Sequence, residues 1–369
     1  MKILSISAYN NLKRAIQIML KKLNNSLISL TENGILPDFI IRFGIRLLLK
    51  KRLLDIKSSD CEDASINQMQ MISKMDKSPV ATNTSDANEQ HYEVPADFYK
   101  LVLGDHFKYS CCFWSENEKD LNDAEVKSLL TTCERAGLQD GQQVLDMGCG
   151  WGSLSLWIAD NYPNSSVTSV SNSRTQKEFI DHMARKKGLK NIEVITHDMK
   201  DFNIDKKFDR IVSIEMFEHM KNYRKLFSRV SSWLKDDGLF FMHIFCHKNV
   251  PYEFIDKGPN DWMSRYFFTG GIMPSDDLPL FFQDHLLIRN RWRWNGFHYA
   301  KTCNTWLENM DSKKTSLMPI MKSVYGSDHK QWWQRWRIFF MSCAELFAFN
   351  DGNEWYIGHF LFSKKTAEK

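Results

Sequence analysis

Glu218 and His219 stand side by side in the run Ser213-Ile214-Glu215-Met216-Phe217-Glu218-His219. A carboxylate next to an imidazole can hold the ring in one tautomer or accept a proton itself, which is general-base chemistry. Glu215 stands three residues earlier, a second carboxylate in the same run. The plainer alternative for this run is an N-cap carboxylate followed by a surface histidine. A second run, Val144-Leu145-Asp146-Met147-Gly148-Cys149-Gly150-Trp151-Gly152, ends an apolar segment on an acid and opens into alternate glycines. Glycine lets backbone approach a ligand closely because no Cβ intervenes. The spacing differs from G-x-G-x-x-G and no Walker-type lysine follows, so neither a dinucleotide fingerprint nor a phosphate cradle fits. A structural glycine turn is the competing explanation.

These residues need a scaffold, and the pattern around them supplies one. Val144 to Asp146 reads as a strand, followed by a helix over 153–161. Strands are then expected at Ser166–Ser171, Ile192–Thr196, Phe208–Ile214 and Leu239–Ile244, with helices at Thr175–Lys187 and Tyr223–Leu234. Such β-α repetition implies an α/β fold with a parallel, Rossmann-like sheet. Its strand ends would bring together the glycines, Asn172 with Gln176, Asp198, and the Glu215–His219 run, at the carboxyl edge where open α/β sheets bind ligands. Residues 249–340 break the rhythm and are rich in aromatics, including Trp262, Phe268, Trp292, Trp294, Trp332, Trp333 and Trp336. They are expected to form a helical cap, whose rings either fill its core or wall an apolar pocket.

The 369 residues are 43% hydrophobic and 25% charged, which suits a folded domain with additions. A net charge of +4 is too mild to imply nucleic acid. Residues 1–57 carry eleven Lys/Arg against three Asp/Glu, so the excess is local to a basic, helical N-terminal segment. Its amphipathic stretch, Ile3 to Leu30, suits packing on its own domain, a transit peptide, or an anionic membrane surface. Residues 58–88 have no sustained apolar period and are expected to be a flexible linker, leaving 89–369 as the main domain. No apolar run is long enough to span a membrane. The eight cysteines lack Cys-x-x-Cys spacing, so we expect free thiols, no metal site and a reducing, cytoplasmic setting. A homodimer is compatible with the composition.

The Asp-x-Gly-x-Gly-x-Gly loop resembles the S-adenosyl-L-methionine (SAM) loop of class I methyltransferases. From His91 to Lys365 the chain further resembles the cyclopropane-fatty-acid-synthase superfamily, and within it the plant coclaurine N-methyltransferase group. The blocks that carry this are Tyr109-Ser110-Cys111-Cys112-Phe113-Trp114, the glycine loop, Ser171-Asn172-Ser173 with Gln176-Lys177-Glu178-Phe179, and Ser213 to Tyr223. Further blocks are Phe245-Cys246-His247-Lys248, Tyr266-Phe267-Phe268-Thr269-Gly270-Gly271, His298-Tyr299-Ala300 and Ala344-Glu345-Leu346-Phe347. The resemblance implies SAM as methyl donor, with Tyr109 and Ser110 over its methionine part and Asp146, Gly148 and Gly150 lining it. Asn172 and Gln176 would hold the ribose, where the fold class usually has an acid, and Asp198 the adenine. It implies a small-molecule amine as acceptor, Glu218 and His219 as the acid–base pair with Glu215 beside them, and Tyr92, Phe268, Trp336 and Phe339 as substrate wall. The lipid-modifying branch instead uses bicarbonate as base, and its ligands match Cys111, Glu218, His243 and Tyr299, so a cyclopropane-forming lipid methyltransferase is the alternative.

Overall fold

The computed structural model describes residues 26–82, 94–258 and 261–365. Its centre is the strand β1 (Gln143–Met147), with Val144, Leu145 and Met147 fully buried. Strands covered on both faces read as continuous apolar runs, and this one does. Beside it lie β2 (Ser166–Ser171), β3 (Ile192–Thr196), β4 (Phe208–Ile214) and β5 (Leu234–His247), all parallel. Two short strands, β6 (Tyr252–Glu253) and β7 (Ile272–Met273), pair apart from the main sheet. The sheet is completed by β8 (Leu286–Trp294) and β9 (Trp355–Lys364), giving the order β3-β2-β1-β4-β5-β9-β8. The order reverses between β1 and β4, which opens a crevice at their carboxyl ends.

Three departures from the sequence reading matter for the site. Residues 58–88 contain a helix, Cys61–Lys77, rather than a uniform linker. Asp60 caps it by accepting from the backbone N–H groups of Glu62 and Asp63, and Ala64, Gln68, Met71, Ile72 and Met75 are buried along one side. Five inward residues sufficed, although the polar remainder hid the period. The cap over 249–340 is not all helical, because Leu286–Trp294 is an edge strand antiparallel to β9. Its alternation with Arg289, Arg291 and Arg293 masked it as a strand. The fifth strand begins at Leu234, since the Lys235–Gly238 turn is a register shift against β4.

Above the crevice sit helices Ala96–Val102, Phe297–Ser312, Lys314–Tyr325 and His329–Gly352, the last kinked over Phe349–Asp351. They share a core of Phe98, Tyr99, Trp306, Trp336, Phe340 and Met341. Of the basic N-terminal segment, Asp38–Asp55 is a helix laid across this layer, tied by Arg42 and Arg46 to Glu345 and by Arg52 to Asp261. Most of the expected Ile3–Leu30 helix lies outside the described residues. Among the described residues, no helix is long and apolar enough to cross a membrane. All eight cysteines are free.

Candidate active site

The turn after β1 has positive φ at Gly148, Gly150 and Gly152, a region that L side chains avoid. At Gly150 a Cβ would meet nothing within 4 Å, so the backbone faces open space; at Gly148 it would lie 2.5 Å from Met216 Cγ. Asp146, at the end of β1, accepts from Ser155 Oγ at 2.6 Å, and burial pushes its carboxyl up to about 6. After β2, Ser171 Oγ donates to Gln176 Oε1 at 2.6 Å. That bond fixes the amide and leaves Gln176 Nε2 buried with no acceptor among the described residues, a donor suited to a ligand hydroxyl. After β3, Asp198 accepts from the Lys200 backbone N–H at 2.8 Å.

A cavity of about 720 Å³ runs from these strand ends up to the helical layer. Tyr109, Ser110, Asp146, Gly148, Gly150, Asn172, Gln176 and Asp198 line one part of it. Glu215, His219, Phe268, Tyr299 and Phe339 line the other, with Phe254, Trp262, Phe347 and the helix Asp38–Asp55 closing it. The glycine gap and the orphaned Gln176 amide fit an adenosine-bearing cofactor in the first part. The second part is a largely aromatic chamber that carries Glu215 and His219, and Lys51, Arg52, Asp55, Lys257 and Asp261 also stand on the cavity lining.

Glu215 has φ +49°, an uncommon conformation for a residue with a side chain and a frequent mark of functional strain. Its backbone N–H is held by the His243 carbonyl at 2.9 Å. Its carboxylate is held by three donors: the Cys111 N–H at 2.9 Å and His243 Nε2 at 3.1 Å on Oε1, and the Tyr299 hydroxyl at 2.6 Å on Oε2. Burial raises the Glu215 carboxyl, opposed by Lys108 and by these bonds. So Cys111, His243 and Tyr299, the residue types that resemblance assigned to bicarbonate, converge on a protein carboxylate. A bicarbonate on those donors would coincide with Glu215, which corrects that expectation.

Glu218 and His219 do not face the cavity together. The 3₁₀ turn Phe217–His219 sends His219 into the cavity, against the Phe268 ring at 4.8 Å. It sends Glu218 behind the wall, where Oε1 accepts from the Phe245 N–H at 2.7 Å and Oε2 has no partner among the described residues. Burial, and then the charge of Glu215, drive the Glu218 carboxyl well above its ordinary range. Trp336 is also not a cavity wall. It is fully buried among Phe98, Phe267 and Phe340, with Nε1 donating to the Tyr325 hydroxyl at 3.1 Å. Tyr92 lies outside the described residues. Sequence reasoning missed Lys108, a buried ammonium that donates to Ser110 Oγ at 2.6 Å and the Cys111 carbonyl at 2.7 Å. No spacing rule points to a single lysine in a loop.

The seven-stranded sheet, the glycine turn at its switch point and the chamber beside it define a class I SAM-dependent methyltransferase. The profile described as "Mycolic acid cyclopropane synthetase" matches residues 80–356, and the chain belongs to that family. It is 37% identical over 359 residues to (S)-coclaurine N-methyltransferase of Thalictrum flavum subsp. glaucum, covering 96% of this chain and 97% of that one. A crystal structure of coclaurine N-methyltransferase bound to N-methylheliamine and SAH superposes with a TM-score of 0.89 at 36% identity, covering 92% of this chain and 99% of that one. Cyclopropane-fatty-acyl-phospholipid synthase of Escherichia coli (strain K12) is 30% identical over 272 residues, covering 73% of this chain and 66% of that one.

Proposed function

We propose that the protein is a SAM-dependent N-methyltransferase acting on a small arylalkyl amine of the benzylisoquinoline kind, in a cytoplasmic setting, with residues 89–369 as its catalytic unit. The observation that carries this is the Glu215 carboxylate, fixed by three donors at the edge of an aromatic chamber. A buried anion ringed by aromatic faces selects an organic cation over a neutral acyl chain. SAM supplies, when bound, a methyl group on a positively charged sulfur. Gly148 and Gly150, Asn172 with Gln176, and Asp198 would hold it through its backbone-facing, ribose and adenine parts.

The chain's own residues handle the amine. Near neutral pH the amine arrives protonated and has no lone pair to offer. Glu215 attracts and orients the ammonium, and the aromatic walls exclude water around it. His219, the imidazole on the cavity, takes one proton from nitrogen, and the freed lone pair forms the new N–C bond in line as the methyl–sulfur bond breaks, its electron pair leaving on sulfur in SAH. The positive charge that remains on the methylated nitrogen faces Glu215. Glu218, off the cavity lining and bonded to the Phe245 N–H, supports the wall rather than meeting the amine.

The test is transfer of label from labelled SAM to a panel of arylalkyl amines, run beside vesicles of unsaturated phospholipid. Label on an amine and none on lipid is expected. Label on lipid alone would overturn the proposal in favour of the cyclopropane-forming reading.

A further inference from the structure

Behind Glu215 runs a line of hydrogen bonds that the proposed reaction does not use. His243 Nε2 meets Glu215 Oε1 at 3.1 Å, His243 Nδ1 meets His359 Nε2 at 2.9 Å, and His359 Nδ1 meets Arg135 Nη1 at 2.6 Å. The two histidines are buried and stand directly opposite each other where β5 pairs with β9. Arg135 leaves the helix Leu121–Arg135, rests over the rings of Trp292 and Trp294 at 5.2 and 5.6 Å, and among the described residues has no carboxylate within 4.0 Å. A guanidinium spent on an imidazole rather than an acid is unusual and sets the direction of every bond that follows.

A guanidinium only donates, so His359 Nδ1 must accept. A neutral His359 then carries its proton on Nε2 and donates to His243 Nδ1. His243 in turn carries its proton on Nε2 and donates to Glu215. Reversing any bond would set two donors against each other. We infer that Arg135, His359 and His243 are positioning residues that fix the donor direction toward Glu215 and so keep its carboxylate anionic to receive the amine. This rests on the reading of Glu215 as the amine's counter-ion. Chain and carboxylate together form an aligned dipole whose positive end is Arg135, some four side chains from the acceptor nitrogen. The other groups facing Glu215 among the described residues are Lys108, Cys111, Cys112, Glu218, His219, Tyr299 and Cys303, and Lys108 also faces both histidines.

The test compares kcat/KM against pH, with an amine the wild type methylates, for wild type, His359→Leu, His359→Gln and Arg135→Met. A glutamine can accept from Arg135 through its carbonyl and donate to His243 through its amide, so His359→Gln should retain the wild-type profile. Methionine covers the two tryptophans without donating, and it sits at the partly exposed end of the line. In His359→Leu and Arg135→Met the acidic limb should move up by about one pH unit. The loss should then be about tenfold on that limb, with the wild-type rate regained on the alkaline plateau. SAH affinity should be unchanged. Long-range proton–nitrogen NMR of the rings, which needs no substrate, should show both histidines as Nε2–H tautomers in wild type and a mixture at His359 in Arg135→Met. An unmoved limb, equal losses at every pH, or Nδ1–H on His359 in wild type would overturn the inference. A wild type that methylates no amine, with the expected tautomers present, would instead refute the proposed function and leave the bond direction standing.

Discussion

Glu215→Gly should turn a methyltransferase that needs no added anion into one that does. The substitution removes the carboxylate and leaves the Cys111 N–H, His243 Nε2 and the Tyr299 hydroxyl aimed at one spot. Its cost in stability is a difference of opposed effects. Glycine relieves about 1–2 kcal/mol of left-handed strain at φ +49°, and adds roughly 0.5–1 kcal/mol of unfolded-state entropy. Three donors left dry would cost about 1–3 kcal/mol each, but the hole opens on the cavity and water can enter it. The net change should stay within about 2 kcal/mol, a fall in Tm of a few degrees. Catalysis should suffer far more. A carboxylate about 4 Å from an ammonium at an effective dielectric of about 20 is worth about 4 kcal/mol, or about 10³-fold in kcat/KM. Formate or bicarbonate should bind the three donors and recover activity along a saturating curve. The assay is methyl transfer to the best amine, with formate titrated against chloride at equal ionic strength. No response beyond that of chloride, or a loss of SAH affinity as large as the loss of turnover, would refute this account of the donors.

His219→Ala should lower kcat by about 10²–10⁴-fold with SAH affinity intact, whereas Glu218→Gln, which keeps an acceptor for the Phe245 N–H away from the cavity, should change kcat far less; steady-state kinetics with calorimetric titration of SAH separates the two. Gly150→Ala places a methyl in open space on the cavity side, so it should weaken SAH binding at least about tenfold while costing only about 1–2 kcal/mol of strain. Gly148→Ala adds the collision with Met216 and should lose more stability, as a denaturant melt would show. Asp146 titrates at about 6 in the folded protein against an ordinary 3.8, so its stabilising contribution is complete below about pH 3.8 and is lost as pH rises through about 6. Asp146→Asn should flatten that part of the Tm-against-pH curve, and an unchanged slope would count against the burial of its charge.

The parallel half of the sheet was legible because β1 and β2 are short buried runs each followed by a helix, and β4 is a buried run ahead of the turn that leads into the helix Tyr223–Trp233. The candidate cofactor residues gather on one part of the cavity because they sit at strand ends, which topology alone brings together. The acceptor side was less legible because sequence neighbours are not neighbours in space. Glu218 and His219 look like a pair on paper, yet one 3₁₀ turn puts them on opposite sides of a wall. Glu215 looked secondary, yet its partners come from positions 111, 243 and 299 and meet only in the fold. Trp336 illustrates the reverse error, since an aromatic-rich segment does not say which ring faces inward. β8 escaped notice because Arg289, Arg291 and Arg293 interrupt its apolar pattern, and β9 because an antiparallel strand needs no crossover helix to announce it.

The position of β9 has a consequence for how the molecule is made. It is inserted between β5 and β8, so the ribosome releases both neighbours well before the strand that joins them. Until residues 355–364 emerge, the apolar run from Leu239 to His247 has an open edge on a nearly finished sheet, and Leu286–Trp294 has nothing to pair with. Such edges recruit other chains. Premature stops ahead of Trp355 should therefore yield aggregates rather than soluble, inactive protein, and during synthesis β5 is the segment a chaperone would most need to cover.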